Sequence, residues 1–333
     1  MKRTLLLGIT ITAISLSGCK KDSEDKATPV AVYIVGQQNL TPGGVQVAKL
    51  WKNGVATTLS DTTKNSYVYS VFVSGNDVYA CGYEVGIKFT ARLWKNGVAT
   101  TLPSSADRAQ ASKVVVSGND VYVAGSTSDG ARLWKNGVEM TISNSKNYIN
   151  VTDMAVIGSD VYICGYEFTG GKTIARVWKN GIATNLNDGK NTTFAAALAV
   201  SGNDVYVAGS EYINSKSIAK VWKNGIATNL TDGRQEATAS GIVVKNDSIY
   251  VCGYESNGTL NIVKLWKNGR ETSLTDGKSA AEAYGMSIVD NDIYVIGYEQ
   301  LATGAAAIMW KNGTATSLTD GKTEAMAQAI FVK

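Results

Sequence analysis

The 333-residue chain contains no histidine. That removes the commonest general base and the commonest metal ligand, and with them Ser-His-Asp, Cys-His and histidine–zinc chemistry. Carboxylates, lysines, tyrosines and cysteines remain. Five glutamates recur at one place in a repeated pattern: Glu84, Glu167, Glu211, Glu255 and Glu299. The first four are followed by a base, at Arg92, Arg176, Lys220 and Lys264, whereas the matching position after Glu299 is Ile308. Cross-strand ion pairing is predicted for those four, and Glu299 is left as a candidate free carboxylate. Asp232, Asp276 and Asp320 each stand alone in a Thr-Asp-Gly triplet. Calcium needs six to eight oxygens, so these aspartates read as turn residues. Cys81, Cys164 and Cys252 share one position in alternate repeats. A disulfide needs Cα atoms within ~7 Å, so they read as separate, buried, small core residues rather than a bridge or a metal site. No catalytic constellation, metal site or cofactor is predicted. A carboxylate-dependent glycoside-active enzyme, the alternative, would need two acids ~5–10 Å apart across a pocket.

The elements that must position these residues form a repeat. All seven tryptophans stand in Trp-Lys-Asn-Gly, beginning at Trp51, Trp94, Trp134, Trp178, Trp222, Trp266 and Trp310. A second motif, (Val/Ile)-Tyr-x-x-Gly, recurs once per unit, as at Val205 to Gly209. A period near 44 residues falls in the range of propeller blades. Each unit reads as four short strands. An apolar first strand is followed by a tight turn and then by the Tyr-containing second strand. A variable loop leads to the Trp strand, Asn-Gly makes a two-residue hairpin, and an alternating outer strand follows. The first unit starts at its second strand, near Ala31, and the chain ends on an unpartnered first strand, Ala329 to Lys333. Pairing the two completes the ring and hides both edges. The predicted fold is therefore all-β: a seven-bladed β-propeller of four-stranded blades, closed by the C-terminal strand pairing with the first blade.

The repeated Trp, Tyr and Lys-Asn-Gly read as packing and turn residues. A binding site is sought where the blades differ. The positions expected to be innermost, at the start of the first strands, are Tyr69, Ser112, Thr152, Ala196, Ser240, Tyr284 and Gln328, with Lys113 and Asp153 beside them. Tyr67, Tyr148 and Phe194 add aromatics nearby. The candidate binding residues are Tyr69, Lys113, Asp153, Tyr284 and Glu299. Net charge is +4 with acids and bases interspersed, so no nucleic-acid footprint is predicted.

The N-terminus has its own organisation. Met1-Lys2-Arg3 precedes an apolar run from Leu5 to Leu16, too short to span a bilayer. Leu16-Ser17-Gly18-Cys19 then resembles the bacterial lipobox, whose Cys becomes the acylated mature N-terminus. The expected organisation is a lipoprotein signal peptide over 1–18, a flexible tether from the lipidated Cys19 over 19–30, and the propeller over 31–333. Lys20-Lys21-Asp22-Ser23-Glu24-Asp25 is similar to the surface-export signal of Bacteroidetes lipoproteins, though Ser23 interrupts the acidic pair.

From residue 31 onward the chain resembles the Trp-Lys-Asn-Gly repeat propellers of Bacteroidetes lipoproteins. That resemblance implies architecture and a cell-envelope location, lipid-anchored in the outer membrane and facing outward. The expected function is a non-catalytic binding or scaffold propeller for a glycan or protein partner, acting as a monomer and held to the membrane through its N-terminal lipid. A purely structural envelope protein is a further alternative.

Overall fold

The computed structural model describes residues 30–143, 145 and 147–333. The signal peptide, Cys19 and nearly all of the tether expected from sequence lie outside the described residues. From Val32 to Val332 the chain forms seven four-stranded antiparallel sheets, one per blade. In blades 2 to 7 the four strands follow chain order from the innermost outwards. In blade 1 the innermost strand is the last of the chain, Ala325–Val332, paired antiparallel with Val32–Asn39. Reciprocal Ala31–Lys333 backbone hydrogen bonds of 2.7 and 3.0 Å extend that pairing. The ring closes as expected, within the segment from Ala31 to Lys333.

Each interface between blades is a small hydrophobic core. Between blades 2 and 3, Tyr79, Cys81 and Ala91 pack against Ala109, Val114, Val123 and Trp134. The closing interface repeats the arrangement, with Ile296 and Ala307 of blade 7 against Ile34, Trp51 and Ala327 of blade 1. All seven tryptophans are no more than 2 % exposed. This accounts for one Trp per unit: a single large ring fills each gap between twisted sheets that only meet at an angle.

The remaining motif residues also have structural roles. The seven Asn of Trp-Lys-Asn-Gly sit at φ near +50° and are followed by Gly near +80°, the left-handed pair that a two-residue hairpin requires. In blade 2, Asn96 accepts a hydrogen bond from the Val78 N–H and donates to Asp77, each at 2.8 Å. Lys95 pairs with Asp77 at 2.8 Å and lies over the Tyr79 ring, 5.3 Å from its centroid. The same Asp–Lys–Asn–Tyr cluster recurs in blades 3, 4, 5 and 7. Motif residues at this face of the ring hold turns.

Candidate functional site

Every innermost strand carries a β-bulge, one extra residue opposite a single partner on the second strand. In blades 2, 3 and 4 the register shift falls around Tyr69, Ser112 and Thr152. In blades 5, 6 and 7 it falls around Ala196, Ser240 and Tyr284, and in blade 1 around Gln328. These are the seven divergent positions singled out in the sequence. A bulge re-aims a side chain out of the ladder, and here all seven line one central cavity of about 500 Å³. The bulge also accounts for the invariant Gly of the second strand. A Cβ on Gly82 would lie 1.9 Å from the Tyr67 carbonyl oxygen, and one on Gly209 1.9 Å from that of Phe194. Only glycine lets the bulged carbonyl approach so closely.

Four of the five candidate binding residues lie on that cavity: Tyr69, Lys113, Asp153 and Tyr284. Among the described residues lining it, Asp153 is the one acid and Lys113 the one base. They pair at 2.8 Å, with side chains 12 % and 33 % exposed. Asp153 also accepts from the N–H of Met154 at 2.9 Å and from that of Leu198, on the next blade, at 2.8 Å. Desolvation is the largest single influence on Lys113 and opposes its charge. The attraction of Asp153 and the hydrogen bond to it outweigh that penalty, so its pKa is raised. Lys113 therefore stays an ammonium at neutral pH. On blade 2, burial first and then the neighbouring Tyr83 phenol push the Tyr69 hydroxyl well above the usual tyrosine range. Burial, followed by the Glu282 carboxylate, does the same to Tyr284, whose hydroxyl donates to Glu282 at 3.2 Å. Both phenols are held neutral.

Glu299 stands apart. It sits half-buried between Ala281 and Ala306 on adjacent strands, away from the cavity lining. The other four glutamates take the cross-strand pairs expected of them. Arg92 reaches Glu84 at 2.6 Å and Arg176 reaches Glu167 at 2.8 Å; Lys220 contacts Glu211, and Lys264 lies 3.7 Å from Glu255. Blade 3 has Thr127 in the glutamate position, and its buried Arg132 turns to Asp129 and Glu139 instead, at 2.8 and 3.1 Å. The three cysteines are buried and free, and burial pushes each thiol up, that of Cys252 to about 12. They are unreactive at neutral pH.

Sequence reasoning missed a second aromatic tier. The residue after the second-strand Gly is Tyr83, Tyr166, Tyr254 or Tyr298 in four blades. Tyr83 stacks on Tyr67 at 4.9 Å, on Tyr69 at 6.0 Å and on Phe89 at 5.2 Å between ring centroids, and the Arg108 guanidinium covers Phe89 at 4.4 Å. Tyr298 lies 5.8 Å from Tyr284, and Tyr166 makes an edge contact with Phe194 at 5.1 Å. The fourfold Gly-Tyr-Glu triplet was the available signal. Tyr lies between Gly and Glu, so it faces the opposite side of the strand from the glutamates.

No protein-family model matches the chain, and no curated protein matches it. Solved structures share its fold. A puromycin-hydrolysing peptidase of Mycobacterium tuberculosis aligns with a TM-score of 0.57 at 10 % identity, over 85 % of this chain and 53 % of the other. The chain thus spans about half the length of that peptidase. A computationally designed protein, Ika8, aligns with a TM-score of 0.44 at 18 % identity, over 77 % of this chain and 75 % of its own. At 10 % identity the likeness to the peptidase extends to the fold alone.

Proposed function

We propose that the protein is a non-catalytic binding propeller that takes a glycan or protein partner at its central cavity, carried at the envelope surface by a lipid on Cys19. One observation carries the binding reading. The blades are near-copies of one another, yet the seven bulges direct their divergent residues into a single cavity. Its volume, about 500 Å³, suits a small ligand or the end of a larger one. The neutral phenols and the ion pair on the cavity lining offer stacking surface together with directional hydrogen bonds. Because Asp153 is the only acid among the described lining residues, no second carboxylate faces it in the way glycoside hydrolysis requires. The anchoring part of the proposal rests on the basic start, the apolar run and the Leu-Ser-Gly-Cys tetrapeptide. Two or more acyl chains give stable membrane attachment where one gives marginal attachment.

The experiment is a glycan and peptide array screen with the soluble 27–333 fragment, which contains the whole closed ring. Binding is expected, and substituting Tyr69 and Tyr284 by alanine should abolish it. Binding that survives both substitutions would remove the cavity from the proposal, and hydrolysis of an arrayed polysaccharide would replace it with an enzymatic one. Anchoring is tested separately: Cys19→Ala should abolish incorporation of a fatty-acid analogue, and protease shaving of intact cells should release the propeller.

A further inference from the structure

The central cavity is lined by backbone as well as side chains, and the backbone divides it into two arcs. In each blade the residue two after the bulge sits at a non-hydrogen-bonded position of the ladder. In blade 2, Ser74 and Asp77 close a two-residue hairpin, so Val73–Val78 and Val71–Ala80 are the non-hydrogen-bonded pairs. The N–H groups of Val71, Val114, Met154, Leu198, Ile242, Met286 and Ile330 therefore all point away from the second strand and into the cavity.

Three of these donors are capped by side chains from the position just after a bulge. Ser70 accepts from Val114 at 3.2 Å, and Asp153 accepts from both Met154 and Leu198. The other four stand on blades 6, 7, 1 and 2, which are neighbours in the ring. The residues that would cap them are Ala197, Gly241, Gly285 and Ala329, none of which carries an acceptor. A Cβ built on Gly241 would lie 2.8 Å from the Cys252 Sγ and 3.4 Å from the Met286 nitrogen. In blade 6 the absent side chain would thus reach the neighbourhood of the next blade's donor.

Asp153 displays what fits this level of the ring. Its carboxylate bridges the N–H of its own blade and that of the next, at 2.9 and 2.8 Å. Gly241 and Gly285 hold the same position in blades 6 and 7, with the side chain absent. We infer that the cavity binds a carboxylate-bearing ligand, whose carboxylate takes the place of the absent side chain and bridges the N–H groups of Met286 and Ile330. Tyr284 and Gln328 flank that position, and the one lysine among the described lining residues, Lys113, is already paired with Asp153. An anionic acceptor makes stronger hydrogen bonds to backbone N–H groups than a neutral one does. The carboxylate can come from a uronic acid of a glycan or from the C-terminus of a peptide. This inference deepens the binding reading above and rests on it.

The test uses the full chain in detergent and the 27–333 fragment in parallel, with four probes: glucuronate, its methyl ester, an N-acetylated tripeptide and the same tripeptide as its C-terminal amide. Calorimetric or NMR binding is expected for the free carboxylates and lost for the ester and amide; which acid binds more tightly identifies the source. The decisive variant is Gly285→Asp, which supplies a cap from within the chain. A Cβ at that position meets nothing closer than 3.4 Å, so the ring should fold with an unchanged melting temperature and lose carboxylate binding at least tenfold. Glu282→Gln should tighten binding, because a like charge beside Tyr284 opposes an entering anion. Ester and amide binding as tightly as the acids, no binding of either acid at millimolar concentration, or a folded Gly285→Asp protein that still binds the acids would each overturn the inference. Neutral array ligands that bind through Tyr69 and Tyr284 regardless of Gly285→Asp would leave the binding propeller standing and remove only the carboxylate.

Discussion

Lys113 and Asp153 are the residues at which this molecule departs furthest from its own repeat. A charge facing a cavity must be matched, and each of these is matched by the other. The contributions are unequal, because Asp153 also holds two backbone donors while Lys113 is held by the carboxylate. Asp153→Ala should therefore cost roughly 2–4 kcal/mol of unfolding free energy in a denaturant titration, since it strands an ammonium and uncaps Met154 and Leu198. Lys113→Ala should cost less, about 1–2 kcal/mol, because Asp153 keeps both N–H partners and the lysine is partly open to water. The pH dependence has a definite sign. The Lys113 pKa is raised on folding, so the pair's contribution is fully present below the ordinary lysine value and fades only as the pH climbs past it. These two residues were legible in the sequence because they break a sevenfold pattern. The backbone donors beside them were not, since a register position has no residue type of its own.

At the scale of the strand and its turn, the repeated Asp–Lys–Asn cluster governs behaviour in acid. Asp77, Asp120, Asp160, Asp204 and Asp292 each have a lowered pKa, caused first by the paired lysine and then by the asparagine. A lowered folded value means that the stabilisation is present above the ordinary aspartate range and lost as the pH falls through it. Melting temperature should be flat near neutrality and drop below about pH 4. Because these groups face solvent, the drop should be larger in low salt than at high ionic strength. Blade 6 has Ser248 in place of the aspartate, so Ser248→Asp should add to the acid-sensitive component. The strand-two glycine belongs to this scale too. Gly253→Ala would set a Cβ 2.0 Å from the Thr238 carbonyl and should prevent the bulge in blade 6, lowering the melting temperature well beyond what a surface Gly→Ala change does. Strands, hairpins and ion pairs could all be read from alternation and spacing. The bulges could not. One extra residue in an apolar strand leaves no trace in composition, and it showed only indirectly, through an invariant glycine opposite a divergent residue. The aromatic tier at Tyr83, Tyr166, Tyr254 and Tyr298 escaped for a related reason. Tyr recurs elsewhere in the unit as a packing residue, and only the fold separates the two kinds.

For the whole molecule, the legible feature was closure, and the reason was accounting: an unpaired strand at each end of a repeat array has one economical solution. Residues 325–332 supply the inner strand of blade 1 and contribute to two interface cores, through Ala325, Ala327 and Ile330 in one and Ala329 and Phe331 in the other. Removing 325–333 should therefore do more than fray an end. It would expose Ile34 and Tyr33, leave blade 1 with three strands and open the cavity at Gln328. Such a truncation is expected to lose cooperative thermal unfolding by circular dichroism and to associate through its bare edges in size-exclusion chromatography.

The pairing of first and last strands also sets how the ring answers to force. A pull arriving through Val30 enters at the end of a strand hydrogen-bonded along both sides, to Ala325–Val332 and to Gln46–Lys52. Drawn along its own axis, that strand cannot be peeled one bond at a time; both ladders must slide together, with every bond sharing the load. A load entering at Val30 would thus be resisted by both ladders of blade 1 at once.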